Sequence, residues 1–125
     1  MNVVDSSAWL EYFADGPKAE EFATPIQDAD NLIVPSITLF EVFKRIRMQR
    51  DSEIALRAVS QMRRGKVVDL DADLAIAAAD LSADLKLALA DSIILATARA
   101  FDAIVWTQDI DLDGLEGVEY RAHQG

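Results

Sequence analysis

The chain has 125 residues, and its 22 acidic against 12 basic side chains give a formal net charge of −10. That length predicts one domain over residues 1–125, large enough to bury a hydrophobic core. Apolar residues make up 51% of the chain, which excludes disorder caused by charge. Cysteine is absent, so disulfides, thiolate zinc sites and cysteine nucleophiles are excluded. The single histidine, His123, lies two residues from the end, which leaves carboxylates as the main candidates for chemistry.

Neither a signal peptide nor a membrane span is visible in the sequence. The chain begins Met-Asn-Val-Val-Asp, without the basic and long apolar segments of a signal peptide. Charged residues interrupt the apolar stretches before the roughly 18 residues that a membrane span needs. We therefore expect a cytoplasmic protein with no membrane partner.

Charge is distributed unevenly along the chain. Between Lys44 and Lys66, eight basic residues are opposed only by Asp51 and Glu53, so this stretch carries +6 and the rest of the chain −16. One interpretation is a solvated helical face. The other is a positive rim that guides a polyanion towards an acidic centre.

Short apolar runs alternate with amphipathic segments, which predicts alternating strands and helices. Strands are predicted over residues 2–5, 32–34, 67–68, 103–106 and, at an edge of the sheet, 118–120. Helices are predicted after the caps Ser6 and Ser7, over 18–29, from Pro35-Ser36, from the cap Ser52 to Gly65, over 71–85 and over 91–101. The apolar face of the third helix is predicted to comprise Ile37, Phe40, Phe43 and Ile46.

This alternation indicates an α/β domain with a central, mostly parallel sheet of four to five strands, covered by helices on both faces. In such sheets, ligands bind at the carboxyl ends of the strands, where the strand order reverses. The side chains that the sequence places at those ends are therefore the first candidates for function.

Four carboxylates are candidates for that edge of the sheet. Asp5 ends the first strand, and Asp109 lies three residues beyond Trp106, which ends the fourth. Asp91 begins the sixth helix, and Glu41 lies five residues into the third, about 7 Å along its axis. We expect these four acids to converge at one rim.

Each of the four acids also has a purely structural explanation. Asp5 and Asp91 are good candidates for helix N-caps. Glu41 could be a solvent-facing helical residue, and Asp109 could form an Asx turn. Caps are also common at strand ends, so the sequence leaves both explanations open.

Convergence of the four acids would have a chemical consequence. Several carboxylates within a few ångströms repel one another, so some stay protonated or a cation joins them. Oxygen ligands without histidine or cysteine favour a hard ion such as Mg²⁺ or Mn²⁺. Such an ion activates water and offsets charge on a phosphoryl oxygen, as phosphodiester hydrolysis requires. The hydroxyls of Ser6 and Thr107 could orient waters or ligands around it.

The segments that contain these acids are VVDSSA (3–8), TLFEV (38–42), LADSIILATA (89–98) and TQDID (107–111). Together they resemble the PIN-domain ribonucleases, in particular the VapC toxins of bacterial and archaeal toxin–antitoxin pairs. The resemblance spans nearly the whole chain in the expected order. The segment around Asp91 is its most specific part.

The resemblance implies a three-layer α/β/α sandwich and a Mg²⁺- or Mn²⁺-dependent endoribonuclease. It also implies a homodimer neutralised by a cognate antitoxin, whose tail covers the acidic site. The implied catalytic and metal-site acids are Asp5, Glu41, Asp91 and Asp109. Thr107 matches the family's hydroxyl before the last acid, and Asp111 would be a further acid beside the site. Leu112 stands where many relatives have phenylalanine.

An RNA substrate has to be reconciled with the net charge of −10. Our hypothesis is that the Lys44–Lys66 stretch forms a positive rim near Glu41 while bound metal neutralises the centre. The residues expected to bind RNA or a partner there are Lys44, Arg45 and Arg47. The same side chains could instead contact the antitoxin or solubilise the helices.

Three other functions fit parts of the sequence. A phosphoacceptor receiver domain would need paired acids after the first strand, where Asp5 stands alone, and an acceptor after the third, for which Asp69 is the candidate. An EF-hand calcium loop matches residues 109–114 but has Tyr120 in place of the bidentate glutamate. A catalytically silent binding module would keep the fold and the partner surface, and the presence of all four acids favours an enzyme over it.

Overall fold

Five short strands and six helices alternate along the chain in the computed structural model, which describes residues 1–123. The strands are β1 (Asn2–Val4), β2 (Leu32–Pro35), β3 (Lys66–Val68), β4 (Ile104–Thr107) and β5 (Val118–Tyr120). The helices are α1 (Ser6–Phe13), α2 (Ala19–Ile26), α3 (Ser36–Gln49), α4 (Ser52–Met62), α5 (Ala72–Leu85) and α6 (Leu89–Ala100). Short 3-10 turns, Ala29–Asn31 and Ile110–Leu112, precede β2 and follow β4. Within this described part, no helix is both long and apolar enough to cross a membrane.

All five strands run parallel in one sheet, in the order β3-β2-β1-β4-β5. Val3 in the central strand is paired with Ile33 on one side and with Val105 on the other. From β1, the chain adds β2 and β3 on one side and then β4 and β5 on the other. The strand order therefore reverses between β1 and β4, which is where such folds bind ligands.

Helices cover both faces of the sheet, because alternate side chains of each strand point to opposite faces. Val4 faces α1 to α4, where Trp9 and Met62 pack in the same cluster. Val3 faces the other way and packs in a cluster with Ile94 of α6. Helix α5 packs against α6 on that side. The predicted three-layer α/β/α sandwich is confirmed.

The predicted apolar face of α3 is wrong at one position. The buried residues of this helix are Thr38, Val42 and Ile46, whereas Phe40 is 64% exposed. Helix α3 carries apolar side chains on several sides, so its sequence permits more than one apolar stripe. The stripe spaced four residues apart, through Val42, is the one that packs inward.

Ends of four helices also differ from the predictions. Helix α4 is capped by Asp51, not by Ser52, and it ends at Met62. Helix α1 is capped by Asp5, not by Ser6 or Ser7. Helix α2 ends at Ile26, because the 3-10 turn Ala29–Asn31 takes the remainder of the predicted segment. Helix α6 begins two residues before Asp91, and Ala88 holds its N-cap position without a side-chain hydrogen bond. Asp91 is therefore not an N-cap.

Candidate metal centre

The reversal of strand order between β1 and β4 determines where the candidate site lies. Asp5 follows β1 directly, and Asp109 lies two residues beyond the end of β4. The backbone N–H of Asp5 donates a hydrogen bond to the carbonyl oxygen of Trp106 at 3.0 Å, which joins the ends of the two strands. Both acids therefore leave the sheet at the same edge.

Asp5 is held by three hydrogen bonds and is only 3% exposed. Its Oδ1 accepts from the backbone N–H of Ala8 at 3.0 Å and from the hydroxyl of Ser7 at 2.8 Å. Its Oδ2 accepts from the hydroxyl of Thr107 at 2.5 Å. Burial raises the pKa of Asp5 to about 6, although these hydrogen bonds act in the opposite direction. The side chain is thus fixed in place and costly to ionise.

Asp91 lies half-buried in the first turn of α6, where its side chain does not cap the helix. Burial raises its pKa to about 7, and the negative charge of Asp109 is the second cause. A positive charge brought to the site would therefore favour the ionised form of Asp91.

Asp109 occupies a tight turn after β4. Its backbone N–H donates to the hydroxyl of Thr107 at 2.9 Å, and its Oδ1 accepts from the backbone N–H of Asp111 at 2.9 Å. The Asx-type turn considered from the sequence is therefore present. Leu112 is fully buried and anchors the turn in the core. Thr107 joins Asp109 to Asp5, since its hydroxyl is bonded to both.

Three of the four predicted acids come together. One carboxylate oxygen from each of Asp5, Asp91 and Asp109 lies within 4.8 Å of the other two. Burial is the main cause that raises the pKa values of Asp5 and Asp91, and repulsion among three carboxylates this close adds to it. A donor set of carboxylate oxygens alone fits a hard divalent cation. The three side chains are therefore better suited to binding a metal ion than to lying together without one.

Glu41 is not one of the three, but it faces the same space. The hydroxyl of Ser6 donates to Oε1 of Glu41 at 2.6 Å, which ties α3 to the start of α1. Glu41 lines a cavity of about 400 Å³ together with Asp5, Asp91 and Asp109. Ser6 thus orients the fourth acid.

Ser7, predicted only as a helix cap, has a further role at the site. The Ser7 hydroxyl donates to Asp5, accepts from the backbone N–H of Gln108 at 3.3 Å and lies 3.5 Å from the hydroxyl of Thr107. It therefore links the start of α1 to the loop after β4. A serine two residues after a strand-ending aspartate is the signal that could have pointed to it.

The predicted basic residues divide into two groups. Lys44 and Arg45 line the acidic cavity, whereas Arg47 is exposed and is not among its lining residues in the described part of the chain. Asp111 is also exposed, and only its backbone N–H bonds to the site. Arg47 therefore lies outside the immediate surroundings of the three acids. Asp111 lies close enough that its negative charge adds to burial in raising the pKa of Asp91.

The placement of Asp69 argues against a receiver domain. It follows β3, which is an edge strand two positions from β1. Two interstrand spacings separate these strands by roughly 10 Å. An acceptor there would be remote from Asp5, whereas a receiver requires the two to share one metal.

Residues 3–118 match the model of the PIN domain family. The chain belongs to the PIN domain family. The match begins within β1, ends at the first residue of β5 and includes all three clustered acids. The family resemblance inferred from the four acidic segments is confirmed.

Solved structures show the same PIN fold at low sequence identity. A toxin–antitoxin complex from Klebsiella pneumoniae is 22% identical with a TM-score of 0.80, and the match covers 95% of this chain and 96% of that one. Mycobacterium tuberculosis VapC20, described as a sarcin–ricin loop cleaving toxin, is 16% identical with a TM-score of 0.73, covering 94% and 98%. A DNA-bound VapBC from Salmonella typhimurium is 19% identical with a TM-score of 0.73, covering 98% of each chain. A search of curated protein sequences finds no significant match.

Proposed function

We propose that this PIN-domain protein is a metal-dependent endoribonuclease that acts as the toxin of a toxin–antitoxin pair. The observation that carries the proposal is the meeting of Asp5, Asp91 and Asp109 within 4.8 Å at the reversal of strand order. The description of VapC20 as a toxin that cleaves the sarcin–ricin loop supports RNA as the substrate class. The cytoplasm, where that substrate is found, is the proposed compartment.

Asp5, Asp91 and Asp109 would hold Mg²⁺ or Mn²⁺, with Glu41 as the fourth acid at the cavity. The bound ion would lower the pKa of a water molecule and offset negative charge on the scissile phosphate. Thr107 and Ser7 hold the Asp5 carboxylate in one orientation, and Ser6 does the same for Glu41. Preset ligands of this kind need not reorganise when the substrate binds.

A cognate antitoxin is the proposed protein partner. Toxin–antitoxin complexes among the structural neighbours support it. Beside the acidic cavity lies a second cavity of about 760 Å³, which shares Arg45 and Asp109 with it and is otherwise lined largely by apolar side chains such as Phe13 and Ile54. An antitoxin segment seated in this second cavity would cover the acidic site.

A homodimer is also proposed. Ile76 of α5 and Leu89 of α6 are large apolar side chains exposed to solvent, and they offer an apolar surface to a second copy. The mass of the purified protein in solution, measured by light scattering, tests this directly. A monomeric mass at micromolar concentration would reject the dimer, and the proposed ribonuclease activity would be unaffected by that result.

The ribonuclease proposal is tested on total cellular RNA incubated with the protein in Mg²⁺, in Mn²⁺ or in EDTA. Cleavage at discrete sites, mapped from the new RNA ends, is expected with either metal and not with EDTA. Asp5→Asn should lower the rate by at least about 100-fold, since it removes a proposed ligand and changing even the supporting residues of metal ligands costs 10–100-fold.

Asp69→Asn is the matched control, because Asp69 is exposed and outside the acidic cluster. It should cleave as the parent does. Equal cleavage by the parent and Asp5→Asn would identify a contaminating nuclease and reject the proposed site. A folded parent that cleaves no RNA with either metal would favour the catalytically silent module.

A further inference from the structure

Helix α3 presents an exposed stripe that the proposed chemistry does not use. Phe40, Lys44 and Met48 are four residues apart and therefore lie on one face of the helix. The phenyl ring of Phe40 is 64% exposed and Met48 is 71% exposed. We call these three residues the Phe40 stripe. None of them belongs to the buried side of α3.

The Phe40 stripe borders the acidic site. Its three members line the same cavity of about 400 Å³ as Asp5 and Asp91. Glu41, the next residue after Phe40, is hydrogen-bonded to Ser6 at 2.6 Å, which fixes this part of α3 against the start of α1. The exposed ring is therefore held at the rim of the acidic cavity.

Positive charge accompanies the aromatic ring. The Nζ atom of Lys44 lies 5.9 Å from the centroid of the Phe40 ring, and Arg45 lines the same cavity. An aromatic face stacks on a nucleobase, and a neighbouring cation attracts the phosphate of the same nucleotide. Aromatic and cationic groups next to one another therefore match a nucleotide better than they match a purely apolar partner.

We propose that the Phe40 stripe binds an unpaired nucleotide next to the phosphate that is cleaved, with its base stacked on Phe40 and its backbone close to Lys44. The inference rests on the proposed ribonuclease function and adds to it a residue that contacts a base of the substrate. The nucleotide bound there must be unpaired. The bases of a duplex stack on each other, so their faces are not open to a protein ring.

The test separates base stacking from a protein interface by the type of side chain at position 40. Leucine would serve an apolar interface with a protein, whereas a base requires an aromatic ring. The variants Phe40→Ala, Phe40→Leu and Phe40→Trp are made in an Asp5→Asn background, which prevents cleavage. Leu56→Ala is the matched control, because Leu56 is an exposed apolar residue of α4 outside the cavity.

Binding is measured by fluorescence anisotropy with an unstructured RNA oligonucleotide and with an RNA duplex. Quenching of 2-aminopurine in the oligonucleotide reports stacking. We expect Phe40→Ala and Phe40→Leu to weaken binding of the single strand about tenfold, as the loss of one base–aromatic stack does, and to reduce the quenching. Phe40→Trp should retain both signals, Leu56→Ala should match the background protein, and duplex binding should not change.

Single-strand binding by Phe40→Leu at the level of the background protein would overturn the inference, as would equal losses on duplex and single strand. A changed mass of Phe40→Ala in solution, with RNA binding intact, would assign the ring to a contact between copies. If the parent cleaves RNA with metal while the Phe40 variants bind normally, the inference is wrong and the ribonuclease proposal stands. If the parent neither binds nor cleaves RNA, both are wrong.

Discussion

Without metal, the protein should become less stable as the pH rises through the titration range of Asp5, and Asp5→Asn should remove this loss. Burial raises the pKa of Asp5 from 3.8 to about 6 in the folded protein. The folded state therefore binds this proton more tightly than the unfolded chain does. The stabilisation is complete below about pH 4 and is lost as the pH rises through about 6.

The size of the effect follows from that difference in pKa. Each pKa unit corresponds to 1.36 kcal/mol, so Asp5 should cost the folded state about 3 kcal/mol at pH 7.5 relative to a pH well below 4, and about 2 kcal/mol of this cost develops between pH 4 and pH 7.5. That is a large share of the roughly 5–15 kcal/mol that stabilises a typical domain. Asparagine carries no charge at either pH. The difference in unfolding free energy between the parent and Asp5→Asn should therefore change by about 2 kcal/mol between pH 4 and pH 7.5.

Urea unfolding in EDTA, at four pH values between 4 and 7.5, measures this difference. Burial is the main cause that raises the pKa of Asp91, and the charge of Asp5 adds to it, so the comparison measures Asp5 together with its effect on Asp91. Added Mn²⁺ should restore stability to the parent at pH 7.5 and much less to the variant, because an ion that binds only the folded state stabilises it. Parallel pH profiles for the two proteins would refute the reasoning, since they would mean that Asp5 ionises as easily in the fold as in the unfolded chain.

Two further predictions concern the hydroxyl of Thr107, which joins Asp5 to Asp109, and the basic residue Arg45 at the acidic cavity. Thr107→Val removes the hydrogen bond to Asp5 and the one from the N–H of Asp109, so it should lower the free energy of unfolding in urea by about 2–3 kcal/mol and weaken Mn²⁺ binding in calorimetry. Thr107→Ser keeps the hydroxyl and should have neither effect. Equal behaviour of the two variants would contradict this role of the hydroxyl. Arg45→Ala should weaken RNA binding and lower the slope of log affinity against log salt by about 0.7, the value for one phosphate contact on a single strand. Arg47→Ala, outside the cavity, should change the slope less, and the reverse order would contradict the observed placement.

The sheet and the three clustered acids could be predicted from the sequence for one physical reason. Runs such as Val3-Val4 and Leu32-Ile33-Val34 are too short and too apolar for anything but buried parallel strands between helices. Parallel strands bring their carboxyl ends to one edge, so an aspartate after β1 and another after β4 must be neighbours if these strands pair. That pairing is observed, and it brings Asp5 and Asp109 together.

The first residue of α6 and the rotation of α3 about its own axis could not be predicted in the same way. Asp91 satisfies the rules for an N-cap, but the helix begins two residues earlier behind Ala88, whose side chain cannot cap. Tertiary packing therefore determines where this helix begins, and the capping rules take no account of packing. In α3, the choice between the stripes through Phe40 and through Val42 depends on how the helix is rotated against the sheet. The apolar pattern alone does not specify that rotation.

Asp5 shows why a structural and a chemical explanation of one residue need not exclude each other. Its Oδ1 accepts two hydrogen bonds, from the N–H of Ala8 and the hydroxyl of Ser7, and its Oδ2 accepts one from Thr107. A carboxylate has about four positions for partners, so one on Oδ2 remains for a cation. The helix cap fixes the carboxylate, and burial makes its charge costly until a cation arrives. Capping α1 is thus the means by which the fold would present Asp5 to the proposed metal ion.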